Sequence, residues 1–406
     1  EPGPGRIESW PSLLVLPFDN PGQQADLEPI ATGLATELGI ELANSGDLRV
    51  MLYSETLSGP DAGGPQPDFL VRGSIRADGA CVKVVTQLVS ATSNELLWSD
   101  SIKAPLEDAR LIEFQERAAA GIAAHIGAQH GAVYRAVTGV TTDWSSACEG
   151  SYGAILKGHA YQQTFDPETY RVALEALTRA HARDGECGLL SSMLAVLYID
   201  NLTLEYFDTA ATPLSEALRL AHEGVRLAPE HELCRLILAR AHLLNDELAE
   251  GLKELEAARA LNPRSVLFMD AAGYLFALLG ELERGAGMVR DAVALNPFYR
   301  TYARYATWLD LMRRGDYEAA LEETEWFRGV GFFWAPLARA VTLGHLGRRG
   351  DGRAAVDRVL ELKPDFPERG LVLIRHLVKS SELESLILEG LSHCGLALAP
   401  RVRRRA

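Results

Sequence analysis

The residues of this sequence that could do chemistry are ten histidines, five cysteines and one serine in a short glycine-flanked turn. Residues 150–153 read Gly-Ser-Tyr-Gly, but the spacing differs from that of a nucleophile turn, and a helix is expected to begin there. His125 and His130 are five residues apart, which puts them on different faces of a helix and disfavours a shared metal ion. The sequence holds no phosphate-binding glycine loop and no His-Glu-x-x-His motif. We therefore predict no catalytic residues, no cofactor and no metal site, so any catalytic domain would lie outside this chain.

The cysteines are scattered and have neither Cys-x-x-Cys spacing nor histidines at metal-binding spacing. Because their number is odd, they cannot all form disulfides. Cys148 and Cys187 lie near the starts of successive predicted helical hairpins and could meet. The other interpretation is that the cysteines are buried thiols.

A repeat organises the second half of the chain. Four phrases of the form Leu-x-Pro end at Pro229, Pro263, Pro297 and Pro364. The first three prolines recur at one constant spacing, and the fourth follows after nearly twice that spacing. Their spacing matches the 34-residue period, marked by proline after a helical run, of tetratricopeptide (TPR) repeats, whose hairpins stack into a solenoid with a concave surface. Over residues 143–396 we predict about six hairpins and a C-terminal capping helix, with small residues such as Gly273 and Gly285 where paired helices cross.

Four residues occupy equivalent inward positions in this repeat: Arg240, Tyr274, Trp308 and Val341, each one repeat period after the last, with Val341 a single residue early. Arginine and aromatic side chains are common anchors of protein interfaces, so these residues are the predicted partner-binding groove. The alternative is that Tyr274 and Trp308 pack between neighbouring hairpins. Lys/Asn pairs that could clamp a C-terminal carboxylate are not evident at these positions, so we do not expect a chaperone tail as ligand.

The first part of the chain has the pattern of a small α/β domain. Apolar or alternating segments predict strands at residues 12–18, 48–53, 69–76, 81–89 and 95–102, with Asp78-Gly79 in a hairpin turn. Apolar residues at helical spacing predict one helix over residues 27–42 and a long one over 106–137. The predicted fold class is therefore α+β: a small α/β domain followed by an all-α TPR superhelix.

Several segments here resemble the TolB-like amino-terminal domain that precedes TPR arrays in bacterial signalling proteins: Leu14–Asn20, Gly33–Leu38, Val71–Arg76 and Gln87–Ser99. Ser381–Leu391 likewise resembles the terminal capping helix of such proteins. The resemblance implies a TolB-like domain at residues 12–138. It also implies an upstream output domain, either an adenylate cyclase or a winged-helix transcriptional regulator, usually separated by a transmembrane helix. We find no motif of either output domain in this sequence.

Composition limits the partners. The net charge of −15 disfavours nucleic acid as a ligand of this chain. No run of about 18 apolar residues occurs, so a membrane is expected only through an upstream segment. Residues 1–11 are predicted to be a linker and residues 397–406 a solvated basic tail. The chain is expected to be part of a longer protein.

Two functions fit these features. The first is a non-catalytic sensor and interaction region of a bacterial signal-transduction protein, which binds a protein or peptide partner, or forms a homodimer, through the TPR groove. The second is a free-standing TPR adaptor or scaffold of a cell-envelope complex. The resemblance implies the periplasmic side of the inner membrane, whereas an odd number of cysteines favours the cytoplasm.

Overall fold

The computed structural model describes residues 10–44, 48–53, 66–109, 112–127, 131–139, 150–262, 265–295, 302–327 and 333–398. Within these ranges the chain packs as two compact units. The first contains most residues before Gly153, and the second contains most residues from Gly153 onwards.

The first unit is a five-stranded mixed sheet with helices. Its strands are β1 (Ser12–Val15), β2 (Arg49–Leu52), β3 (Phe69–Asp78), β4 (Cys81–Ser90) and β5 (Leu96–Pro105), in the spatial order β2-β1-β3-β4-β5. β1 is parallel to both β2 and β3, whereas β3, β4 and β5 form an antiparallel meander. Gly79 adopts a positive φ of 64° in the β3–β4 turn, the conformation for which glycine was predicted.

The helices of this unit are α1 (Glu28–Asn44), α2 (Leu106–Ala109), α3 (Ile112–Gly127) and α4 (Ala132–Gly139). α1 begins and ends close to the predicted bounds and buries Leu34, Leu38 and Leu42 in the core, since they recur at helical spacing. The prediction of one long helix over 106–137 was wrong, because the described residue Gly131 is not helical and α4 begins after it.

Among the described residues, the regular elements of the second unit are all helices. Six hairpins pair successive helices: α5 (Ser151–Thr164) with α6 (Pro167–Arg183), α7 (Gly188–Leu204) with α8 (Leu214–Leu227), α9 (Glu232–Leu244) with α10 (Leu248–Leu261), α11 (Val266–Leu278) with α12 (Leu282–Leu295), α13 (Tyr305–Arg313) with α14 (Tyr317–Glu323), and α15 (Trp334–His345) with α16 (Arg349–Leu362). Two further helices follow, α17 (Phe366–Leu377) and α18 (Ser381–His393). These are TPR-like hairpins, as the repeat period predicted.

Small residues allow the paired helices to approach closely. A methyl group added at Gly273 of α11 would lie 2.7 Å from the Gly285 carbonyl oxygen of α12. A methyl group added at Gly251 of α10 would lie 3.2 Å from the Ala239 carbonyl oxygen of α9. The predicted crossing points are therefore confirmed, since a larger side chain would separate the backbones.

Two irregularities interrupt the repeat. Residues 201–213 extend α7 by about one turn relative to α9 and add a 3₁₀ turn, Thr209–Ala211, before α8. α14 is only seven residues long and continues as the 3₁₀ turn Thr324–Phe327, in the hairpin that lacks the usual Leu-x-Pro ending. None of the helices described is both long and apolar enough to cross a bilayer.

Candidate functional site

One pocket in the second unit gathers aromatic side chains from several hairpins. It holds about 650 Å³ of space unfilled by atoms, part of it open to solvent. Its aromatic walls are Phe165, Tyr274, Tyr302, Tyr305, Trp308 and Trp334. Tyr274, Trp308 and Trp334 belong to α11, α13 and α15, each the first helix of its hairpin, so the repeat itself brings them together. Apolar walls with a few polar groups are the usual lining of small-ligand sites.

Three of the four residues predicted to form a groove line this pocket: Arg240, Tyr274 and Trp308. The fourth, Val341, is not among the lining residues and is fully buried. Its carbonyl oxygen would lie 2.5 Å from a methyl group added at Gly390, because α18 packs closely on this face of α15. The equivalent position is therefore covered by the C-terminal helix rather than open to a ligand.

Arg240 forms an ion pair that the sequence analysis missed. Its guanidinium donates from Nη2 to Oδ1 of Asp200 on α7 at 2.7 Å, and the Asp200 side chain is only 1% exposed. Burial raises the pKa of the Asp200 carboxyl, while Arg240 and the nearby Tyr161 hydroxyl oppose that shift. Burial opposes protonation of Arg240, but Asp200 outweighs burial and the pKa of Arg240 is raised. The residues Leu194–Ile199 that precede Asp200 are almost all apolar and buried, so an acidic residue at this point signalled a buried partner.

Some polar side-chain atoms that line the pocket have a hydrogen-bond partner among the described residues, and others do not. The Tyr305 hydroxyl donates to the Trp334 carbonyl oxygen at 2.7 Å, and Trp308 Nε1 donates to Thr342 Oγ1 at 2.8 Å. Both bonds join neighbouring hairpins, which is the packing role that we considered for Trp308. By contrast, Trp334 Nε1 and Arg240 Nε are buried without a hydrogen-bond partner among the described residues.

The C-terminal helices close one side of the pocket. Leu377 and Val378, at the end of α17, and Ile387 of α18 contribute apolar side chains to its wall. Lys379, the residue after Val378, donates its backbone N–H to the Leu278 carbonyl oxygen at 3.0 Å. Its Nζ lies 2.7 Å from Asp246 Oδ1. The groove predicted from the repeat is thus partly filled by the chain itself.

A cluster of charges holds α17 against α7. Glu205 follows α7 and adopts a left-handed conformation with φ of 52°. Lys363 Nζ lies 3.1 Å from Glu205 Oε2, and the Arg369 guanidinium donates to the same carboxylate. These partners are up to 164 residues apart in the sequence. The repeat period predicts neither the packing of the C-terminal helices on the pocket nor this cluster of charges.

Two residues considered above for chemistry, Ser151 and His125, pack within the fold. Ser151 is buried and is the first residue of α5, in agreement with the predicted helix start. His125 Nδ1 lies 2.7 Å from the Gly121 carbonyl oxygen, and its ring stacks on Trp98. His130, Cys148 and residues 399–406 of the basic tail lie outside the described residues. Within the ranges described, no group of three or more His, Cys, Asp or Glu side chains is arranged to hold a metal ion.

No protein-family model matches the chain, and no curated protein matches its sequence. Among solved structures, the chain is similar to YrrB, described as a TPR protein with an unusual peptide-binding site, at 18% identity and a TM-score of 0.30, covering 51% of this chain and 100% of that chain. It is similar to the APC/C hetero-tetramer Cut9-Hcn1 at 14% identity and a TM-score of 0.40, covering 68% of this chain and 48% of that one. It is also similar to TolB from Acinetobacter baumannii at 21% identity and a TM-score of 0.21, covering 35% and 32%. At these scores the likenesses carry no argument about function, so the TPR-like character of the second unit rests on its own hairpins and their period.

Proposed function

We propose that this chain is a non-catalytic sensor and interaction region of a bacterial signalling protein. In this proposal the repeat unit binds a protein or peptide partner, or a second copy of the chain. The observation that supports it is the convergence of Arg240, Tyr274 and Trp308 on one pocket. Pockets lined by aromatic and arginine side chains receive the anchor residues of protein interfaces.

The signalling role would follow from differential binding. A partner that prefers one arrangement of an upstream output domain shifts the population towards that arrangement. The resemblance to TolB-like domains supports an adenylate cyclase or a winged-helix regulator as this output domain, and supports a periplasmic location. The sequence of the gene upstream of Glu1 tests both points, since an open reading frame without an output domain or a transmembrane segment would contradict them.

Binding itself is tested with the purified chain and two matched variants. Tyr274→Ala opens the wall of the pocket, whereas Tyr317→Ala removes a tyrosine that stacks on His345 and does not line the pocket. We expect the wild-type chain to self-associate in sedimentation velocity, or to capture a specific partner from cells that express it. Tyr274→Ala should lose this association and Tyr317→Ala should keep it, with circular dichroism confirming that both are folded. Equal association of both variants, or none in the wild type, would refute the proposal.

A further inference from the structure

The pocket of the repeat unit contains hydrogen-bond donors that no described protein group satisfies. Arg240 Nε and Trp334 Nε1 have no acceptor among the described residues. A buried donor without a partner destabilises the folded state, so a native structure keeps such groups only with a reason. Two of them on the wall of one pocket indicate a ligand that accepts hydrogen bonds.

Two tyrosines add to this donor set. Tyr274 and Tyr302 also line the pocket, with ring centroids 5.1 Å apart. Burial raises the pKa of Tyr274 to about 12, so its hydroxyl stays protonated at neutral pH and can donate. Burial likewise raises the pKa of Tyr302. Four donors, one of them on a guanidinium, therefore surround the same space.

The charge of these groups selects among ligands. A cationic ligand brings only donors and would find one acidic group in the pocket, Asp200, whose Oδ1 Arg240 already engages and whose Oδ2 is a single acceptor among several donors. A purely apolar ligand would leave Arg240 Nε and Trp334 Nε1 unpaired. A carboxylate is an acceptor only, with about four lone-pair sites on two oxygens, and it forms its strongest hydrogen bonds with groups such as arginine.

The remaining walls limit the body of the ligand. Leu204, Leu278 and Leu337 are buried side chains of three hairpins, and the C-terminal helices add Leu377, Val378 and Ile387. Because the C-terminal helices close one side of the pocket, a folded domain cannot enter it, whereas a small apolar or aromatic group can.

We infer that the pocket binds a small carboxylic acid with an aromatic or aliphatic body, whose carboxylate lies against Arg240, Tyr274, Tyr302 and Trp334. This inference deepens the proposed sensor function and rests on it, since it names the class of signal that the repeat unit would sense. The ligand and the partner protein would then be coupled through the same helices.

Isothermal titration calorimetry of the purified chain tests the inference with four probes: phenylacetate, octanoate, phenylacetamide and benzyltrimethylammonium. We expect at least one of the two acids to bind, and phenylacetamide to bind about tenfold more weakly than phenylacetate or not at all, because it lacks the charge that Arg240 recognises. Benzyltrimethylammonium should not bind. Absence of binding by both acids, or equal or tighter binding of the amide or the cation, would overturn the inference.

Two variants locate the site. Tyr274→Phe removes one donor and should weaken acid binding by about tenfold, while Tyr317→Phe should leave it unchanged. Arg240→Gln combined with Asp200→Asn removes the charge without leaving a buried ion unpaired, and should abolish the preference for the acid over the amide. Unchanged affinity in Tyr274→Phe together with an unchanged preference in the double variant would contradict the assignment. Because the titration needs no partner, acid binding without partner capture would refute only the interaction proposal, and capture without acid binding would refute only this inference.

Discussion

Replacing Glu205 with glutamine removes one negative charge at the point where the C-terminal helices meet α7. The Glu205 side chain is 11% exposed, as is that of Lys363, and Arg369 is 27% exposed. Glutamine keeps the size of the side chain, so the backbone at the end of α7 is not forced to change. The substitution therefore isolates the contribution of the charge to the docking of α17.

The magnitude follows from the burial of the three groups. Breaking a fully buried ion pair destabilises a protein by about 3–5 kcal/mol, because a charge is left without compensation. Here both cations keep some contact with solvent, and glutamine can still accept a hydrogen bond. We therefore expect a loss of about 2–3 kcal/mol in the docking of α17. This loss corresponds to a roughly 30- to 150-fold increase in the population of the undocked state.

Hydrogen exchange measured by mass spectrometry is the suitable assay, because it reports local opening of individual helices. Protection of the peptides that cover α17 should fall in Glu205→Gln, while protection of α9 should change little. The matched control is Glu384→Gln, which makes the same charge change but breaks an ion pair with Arg375, 58% exposed, within the C-terminal helices. Such a pair contributes about 0–1 kcal/mol. If both variants lower the protection of α17 equally, the charge cluster does not hold this helix to α7.

The same cluster predicts a dependence on pH. Burial raises the pKa of the Glu205 carboxyl, but Arg369 and Lys363 outweigh burial and hold the pKa below its ordinary value of 4.5. A carboxyl whose pKa is lower in the folded state contributes its full stability above the unfolded pKa and loses it as the pH falls through the folded pKa. The difference in urea stability between wild type and Glu205→Gln should therefore be complete at neutral pH and should disappear well below pH 4.5. A difference that persists at low pH would show that charge is not its cause.

Three further substitutions test the packing of the hairpins by urea unfolding. Gly285→Ala should lower the free energy of unfolding by about 1–3 kcal/mol, because the added methyl group would overlap the Gly273 carbonyl of α11. Gly287→Ala is the control on the same helix, because a methyl group added there would have only Arg290 Nη2 within 4 Å, at 3.9 Å. This substitution should raise the free energy of unfolding by up to about 1 kcal/mol. Equal effects of Gly285→Ala and Gly287→Ala would mean that the helices do not cross at Gly285. Trp308→Phe should cost about 1–3 kcal/mol, since it removes both buried volume and the hydrogen bond to Thr342. A neutral result would exclude the packing role of this indole.

Local and periodic features were readable from the sequence. The regularly spaced prolines mark the hairpins because proline cannot continue a helix, and small residues such as Gly273 and Gly285 mark the crossings because only they permit the close approach. The β3–β4 hairpin was likewise predicted from Asp78 and Gly79. These features depend on residues that are close in the sequence or one repeat apart, so they can be predicted from the sequence alone.

The pocket was decided by the tertiary structure. Position in the repeat brought Arg240, Tyr274 and Trp308 together, but the same phase failed at Val341, because α18 covers the face that earlier hairpins leave open. Asp200 and the C-terminal residues joined the site through contacts that no period encodes, since Glu205 and Arg369 lie 164 residues apart. A repeat pattern describes how each hairpin meets the next one. Which surfaces remain accessible depends on which segments, distant in the sequence, pack against them. Only the folded structure decides this.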